Sequence, residues 1–337
     1  MIQDVLKAVV EFRHLSREEA ARAMSAIMSG EVSPTLISAF LVALHMKGET
    51  VEEITGFAET MRQFATRVET SRHPLVDTCG TGGDRSGTFN ISTTAAFVVA
   101  GAGVAVAKHG NRSASSKCGS ADVLEHLGVN IDASPEQVGR CIDEVGIGFL
   151  FARSLHGAMK HVAPVRSELL MRTVFNILGP LTNPAGADGQ VMGVFDANLV
   201  EPLANVLGQL GARHAFVVSG SDGLDELTLC GHSIVAEVRQ GEVRMYTLTP
   251  EELGLSACAP EALLGGDASR NADLLRAVLE GERSPRRDIV LLNAAPAIVA
   301  GQAAADLAEG LDIARKSIDS GAAYEKLQLL KRRSHDS

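Results

Sequence analysis

Apolar and polar positions alternate with a helical period over roughly the first 70 residues. Ile54, Phe57, Ala58, Met61 and Phe64 fall on one helical face, with polar residues between them. The start and stop signals agree. Ser16-Arg-Glu-Glu19 and Thr50-Val-Glu-Glu53 have the form of capping boxes, in which a hydroxyl and a carboxylate each satisfy a free backbone N–H. Ser33-Pro34 sets a cap before a first-turn proline, and Gly48 closes the helix that follows. Short capped helices are expected here.

From Pro74 the pattern changes to short apolar runs separated by helical stretches. Leu75-Val76-Asp77, Val104-Ala105-Val106, Ala215-Phe216-Val217-Val218 and Ile289-Val290-Leu291-Leu292 read as strands. Ser134 to Val145 and Pro202 to Leu210 read as helices. This alternation predicts an α/β fold with a mainly parallel sheet covered by helices. Residues 166–182 read as helical and break at Gly179-Pro180, and Ser320 to Arg333 reads as a last helix with a basic end.

Composition narrows the class. The 337 residues favour two domains, and with 45% hydrophobic residues the chain can bury a core without disulfides or structural metal. There is no Trp, so that core rests on aliphatic side chains. The net charge is −10, which argues against a nucleic-acid binder, since binding to phosphate backbones needs a basic surface. The longest apolar run, Ala95 to Ala107, is too short to span a bilayer, and the opening residues lack the pattern of a signal peptide. Cys79, Cys118, Cys141, Cys230 and Cys258 form no CxxC pair and read as reduced thiols. A cytoplasmic protein, with no membrane and no nucleic acid as partner, is expected.

The densest chemistry lies in Asp77-Thr-Cys-Gly-Thr-Gly-Gly-Asp84 and the following Ser86-Gly-Thr88 and Asn90-Ile-Ser92-Thr93. Glycines at a strand end let successive N–H groups form an anion-binding concavity, reinforced by a helix starting near Ser92. Two common phosphate motifs do not match: Thr88 stands where a P-loop needs Lys, and Arg85 where a dinucleotide loop needs its third Gly. A second cluster, Lys108-His-Gly-Asn111-Arg-Ser-Ala-Ser-Ser116-Lys-Cys-Gly-Ser120, follows a strand. Its Lys108, Arg112 and Lys117 offer local positive charge and its serines offer small donors, which suits a diphosphate. The adjacent carboxylates of Asp225 and Glu226 follow another strand, and beside two phosphate-type loops they suit Mg2+. His156 and His161 read equally as core or surface histidines. No Ser–His–Asp triad is defensible, and no general base is evident beside Cys79 or Cys118.

Gly80-Thr-Gly-Gly-Asp84, Asn90-Ile-Ser-Thr93 and Lys108-His-Gly-Asn-Arg-Ser113 together resemble the donor-binding loops of the anthranilate phosphoribosyltransferase family. Pro164-Val-Arg166, the run from Arg172 through Asn176 and Pro180 to Pro184, and Gly265-Gly-Asp-Ala268 resemble the same family. The likeness runs from about Leu6 to about Gln328. It implies transfer of the phosphoribosyl group of 5-phosphoribosyl 1-diphosphate to the amine of anthranilate, a step of tryptophan biosynthesis, by a Mg2+-dependent homodimer. It implies a fold similar to the nucleoside phosphorylases. Residues 1–70 with about 166–182 would form a helical, dimerising domain, and 74–165 with about 185–337 an α/β domain.

By motif, the donor would be held by Gly80, Gly83, Asp84, Thr88, Asn90, Ile91, Ser92 and Thr93, and by Lys108, His109, Gly110, Asn111, Arg112, Ser113, Ala114, Ser115, Ser116 and Ser120. Ser92, Asp225 and Glu226 would hold magnesium. Gly80, His109, Asn111 and Arg166 would meet anthranilate, with Lys108, Arg166, Asp225 and Glu226 as the catalytic set. The sequence departs from the common pattern at Arg153 and Gly157, where many members have proline, and at Leu170, where glycine is frequent. Two rivals stay open at this point. A pyrimidine nucleoside phosphorylase would carry Lys-His-Ser-Thr before its glycine pair, which is absent here. A non-catalytic relative binding nucleic acid would need a basic groove.

Overall fold

The computed structural model describes residues 2–113 and 117–336. Helices α1 (Ile2–Val10), α2 (Arg17–Met28), α3 (Pro34–Lys47) and α4 (Val51–Phe64) come first. The caps anticipated from sequence form: Ser16 and Glu19 satisfy each other's backbone N–H, as do Thr50 and Glu53. Glu53 is fully buried, and it also accepts from the Leu15 N–H at 2.8 Å and the Lys47 ammonium at 2.8 Å. The cap of α4 thereby ties three segments together.

Among the described residues one seven-stranded sheet has the order β3-β2-β1-β4-β5-β6-β7. The strands are β1 (Leu75–Asp77), β2 (Ala105–Gly110), β3 (Ile147–Phe151), β4 (Gly189–Gly193), β5 (His214–Gly220), β6 (Ser233–Arg239) and β7 (Glu242–Leu248). The first five are parallel, and β6 and β7 are antiparallel additions. The chain passes from β1 outward to β2 in one direction and later to β4 in the other. β1 is therefore the switch point of the sheet, outside whose carboxyl end open α/β folds bind ligands.

Side chains of β5 alternate between two cores. Phe216 and Val218 pack with the helices Ile91–Gly101 and Pro285–Ala300, whereas Ala215 and Val217 pack with Phe40 of α3, Phe57 of α4 and Leu203 and Leu207 of the helix Val200–Gln209. Phe40 and Phe57 meet edge to face with ring centroids 6.2 Å apart.

Two expectations are corrected. Ile289 to Leu292 is not a strand but the middle of the helix Pro285–Ala300, capped by Ser284 with Pro285 in its first turn. That helix is buried on every side, so it shows no amphipathic period, and a short apolar run then imitates a strand. Residues 166–182 also break earlier than Gly179. The helix Ala163–Leu169 stops at Leu170, which is left-handed (φ 48°) and 88% exposed, before Phe175–Leu178 resumes. A left-handed backbone favours glycine, the residue that the family resemblance leads one to expect at this position. Val165, Phe175, Leu178 and Leu181 of this stretch join the core of the N-terminal helices.

Candidate active site

The loop of residues 78–90 leaves the end of β1 and is pinned on both sides. The Thr81 N–H donates to the Gly193 carbonyl at the end of β4 (2.8 Å), and the Gly82 N–H donates to Asp225 Oδ2 (2.6 Å). Gly82 and Gly83 adopt φ of 67° and 83°, open to glycine without strain. Gly193 serves close approach instead: a Cβ there would run into the Asp225 carbonyl oxygen. The far end of the loop is buttressed by Gly265-Gly-Asp-Ala268 and the helix behind it. Gly265 N–H donates to the Gly87 carbonyl (2.9 Å), and Asn271 Nδ2 donates to Asn90 Oδ1 (2.9 Å). Asn90 therefore does not cap the helix Ile91–Gly101 with its side chain. Its amide spans to the Cys118 carbonyl and so joins the first cluster to the second. Thr88 pairs with Leu264, Ile91 and Thr93 are buried, and Ser92 is half-buried beside Glu226.

Lys108 ends in the same place from β2. It is 4% exposed and its ammonium donates to the Thr78 carbonyl (2.8 Å). Beneath it, buried Asp77 accepts from the His109 N–H (3.1 Å) and from Asn183 Nδ2 (2.8 Å). Burial lifts the Asp77 carboxyl to about 6 against the pull of Lys108 and Asn183.

Arg112 is ion-paired within its own stretch of chain. Its guanidinium bonds Asp122 (2.9 Å) and Glu125 (2.8 Å), so its charge is already compensated. Burial alone would raise Asp122, but the N–H groups of Gly119 and Ser113 and the Arg112 pair hold it below its ordinary value. Arg112 thus braces the loop. Lys117 is exposed, Gly110 is buried, and Ser120 opens a helix and donates to the Asn111 carbonyl (3.2 Å). Ala114, Ser115 and Ser116 lie outside the described residues.

Asp225 and Glu226 sit on the loop after β5, which Asn293 holds by accepting the Leu227 N–H (2.8 Å) and donating to its carbonyl (2.9 Å). Burial, then Glu226, then Asp84 raise the Asp225 carboxyl well above its ordinary range. Glu226 rises to about 7, chiefly by burial, with Lys108 and Ser92 opposing. Asp225 lies against Asp84 and Glu226 against Ser92, with Lys108 as the neighbouring cation, and carboxylates buried this close are costly to keep ionised. An all-oxygen donor set of this kind fits a hard divalent cation such as Mg2+.

On the other side of Lys108 are two buried histidines, His109 and His156, with ring centroids 5.2 Å apart. Burial drops them to about 3 and about 4, so both rings are neutral at physiological pH. The Gly179 carbonyl lies near enough to favour the charged form of His109 slightly, without hydrogen-bond geometry. Arg166 is half-buried over the Phe175 ring (5.8 Å), and its guanidinium has no hydrogen-bond or ion-pair partner among the described residues. Cys79 does have neighbours that sequence did not reveal, since Asp77 and His109 flank it. Burial nonetheless pushes its thiol up to about 12, which is unsuited to a nucleophile.

Sequence reasoning missed the supports Asn271 and Asn293, and it gave Arg172 and Asn183 no role beyond a family-like run. The Arg172 guanidinium lies 3.6 Å over the Phe195 ring and donates to the Gly83 carbonyl.

Comparison with known proteins places these features. Residues 72–324 match a family described as "Glycosyl transferase family, a/b domain", and residues 3–65 match its helical bundle domain. The anthranilate phosphoribosyltransferase of Symbiobacterium thermophilum is 56% identical over 98% of this chain and 97% of its own length. The crystal structure of the Thermus thermophilus enzyme of that name superposes with a TM-score of 0.94 at 49% identity, covering 99% of this chain and all of the other. The Saccharomyces cerevisiae enzyme in complex with PRPP and Mg superposes at 0.90 with 27% identity, over 99% of this chain and 97% of the other. Its complex with 4-fluoroanthranilate gives 0.87 at 26% identity, over 99% and 98%.

Proposed function

The chain belongs to the anthranilate phosphoribosyltransferase family, and we propose that it transfers the phosphoribosyl group of 5-phosphoribosyl 1-diphosphate to the amine of anthranilate, releasing diphosphate. The observation that carries this reading is the convergence at the β1 switch point. A glycine loop tied to Asp225, the buried cation of Lys108 and the oxygen cluster of Asp225, Glu226 and Ser92 all meet there.

The N–H groups around Gly80, Gly83 and Asp84 and the start of the helix at Ile91 would take the diphosphate and ribose phosphate, with Thr88, Asn90, Ser92, Thr93 and Ser120 as further donors. Lys108 stands where the leaving diphosphate gathers charge. Asp225, Glu226 and Ser92 would hold Mg2+, which when bound adds positive charge against the diphosphate. The aryl amine of anthranilate is neutral and nucleophilic at pH 7, so no strong base is needed, and positioning carries most of the rate. Neutral His109 and His156 suit that end of the site because they neither repel nor protonate the amine. Arg166 would orient the carboxylate through its two parallel donors, and Asn111 is read as a further contact.

Anthranilate fluorescence is expected to fall only when protein, Mg2+ and 5-phosphoribosyl 1-diphosphate are all present. Phosphate-dependent cleavage of thymidine or uridine without that loss would move the chain to the phosphorylase chemistry. Arg166→Ala should raise the KM for anthranilate about 10- to 100-fold, the range of a hydrogen bond to a charged group, and leave the donor KM within about twofold. Steady-state kinetics with each substrate varied in turn would show it, and an equal rise in both would remove Arg166 from the acceptor end.

Two coarser readings accompany this one. The helical part, residues 1–70 with about 166–182, is read as the homodimer contact. In support, Val10, Phe12 and Met46 are 59%, 62% and 70% exposed on it. Five cysteines, none of them in a disulfide among the described residues, support a reducing, cytoplasmic setting, and among the described residues no helix is long and apolar enough to cross a membrane.

A further inference from the structure

We propose that Asp77, Cys79 and His109 form a second cation site, selective for a thiophilic divalent ion of the zinc class and distinct from the oxygen cluster of Asp225, Glu226 and Ser92.

The strand register sets it up. Val76 of β1 lies opposite Val106 of β2, so three residues further on Cys79 runs beside His109. The bond from His109 N–H to Asp77 Oδ1 locks that alignment (3.1 Å). One ligand atom from each of the three side chains lies within 4.8 Å of the other two. Ligands about 2.0–2.3 Å from a tetrahedral zinc ion are themselves about 3.5 Å apart, so a small rotation of the side chains closes the site.

A second feature points the same way. His109 is 2% exposed, yet neither ring nitrogen has a partner in hydrogen-bond geometry among the described residues. Buried polar atoms are nearly always satisfied, and an orphan pair beside a thiol and a carboxyl invites a ligand.

The charges also balance. A thiolate and a carboxylate neutralise a divalent ion, the imidazole binds as a neutral donor, and the Lys108 ammonium still has the Glu226 carboxylate to offset it. On binding, the Cys79 S–H bond breaks and its proton passes to solvent. A sulfur–metal bond forms, and waters of the ion return to bulk with no change of oxidation state. The fourth position stays open to water. Mg2+, which demands oxygen ligands in octahedral array, is excluded by the sulfur and nitrogen donors.

If the acceptor reading above holds, an ion on His109 occupies the anthranilate end of the site, and added Mg2+ does not relieve the inhibition.

Co2+ serves as the optical probe, titrated into the full-length protein in excess Mg2+. The expected result is a thiolate-to-cobalt absorption in the near ultraviolet that saturates at one equivalent and is displaced by Zn2+. It should be lost in Cys79→Ser and retained in Cys230→Ser. No band, or a band that survives in Cys79→Ser, overturns the site. Should the serine variant not fold, peptide-resolved alkylation of the wild type reads the same contact. Zn2+ is then expected to protect Cys79 and not Cys230, and unchanged alkylation of Cys79 overturns the proposal. A cobalt band without inhibition of transfer would keep the site and remove His109 from the acceptor end.

Discussion

Asp225→Asn combined with Glu226→Gln is expected to lower turnover by about three orders of magnitude, the scale of charge stabilisation a bound metal ion supplies, while the protein melts no lower than the wild type. The two outcomes come from one arrangement. Both carboxyls are buried against each other and Asp84, which raises them above their ordinary range, so their ionised forms weaken the fold. Neutral amides of the same shape remove that repulsion and also remove the anionic oxygens that would hold magnesium. Anthranilate fluorescence gives the turnover, and thermal unfolding gives the stability. Full activity in the double variant would sink the metal assignment. A clearly lower melting temperature would mean that the loop needs its charges for structure.

Lys108→Met is expected to fail in the opposite way. Turnover should fall about 10²- to 10³-fold, as when a preorganised donor to a developing anion is lost. Here, however, stability should also drop, because Lys108 offsets the buried Asp77 and Glu226. Removing one partner from a buried charge group costs about 3–5 kcal/mol in typical cases. The kinetic constants and the urea midpoint of the purified variant test both parts. An inactive Lys108→Met that is as stable as the wild type would show that the lysine acts on substrate alone.

Much of the site was legible because its chemistry is written locally. The glycine loop after β1, the Lys108 to Ser120 stretch after β2 and the Asp225-Glu226 pair after β5 are each contiguous, and each follows a recognisable strand. The capped helices α2, α3 and α4 were legible for the same reason. What escaped reading depends on partners far along the chain. Asn293 holds the Asp225 loop from a helix some 66 residues later, and Arg172 reaches Gly83 across 89 residues. Arg112 looked like a free cation because Asp122 and Glu125 become its partners only when the loop folds back. The helix Pro285–Ala300 hid its identity because it is buried on every side. Strands β3, β4, β6 and β7 were missed among short runs bounded by weak turn signals.

The core beneath β5 has one more implication. Phe40 and Phe57 from the first 70 residues share it with Met192, Val194, Leu203 and Val217 from beyond residue 185. The gap between residues 65 and 72, where the helical and α/β matches part, is therefore a border in sequence but not in energy. The helical side has no interior apart from this shared one, whereas the opposite face of the sheet keeps a core drawn from residues 76–330 alone. Damage in α4 would not release a lobe that drifts free of an intact catalytic body. It would unseat the face of the sheet whose strand tips carry Gly193 and the Asp225 loop.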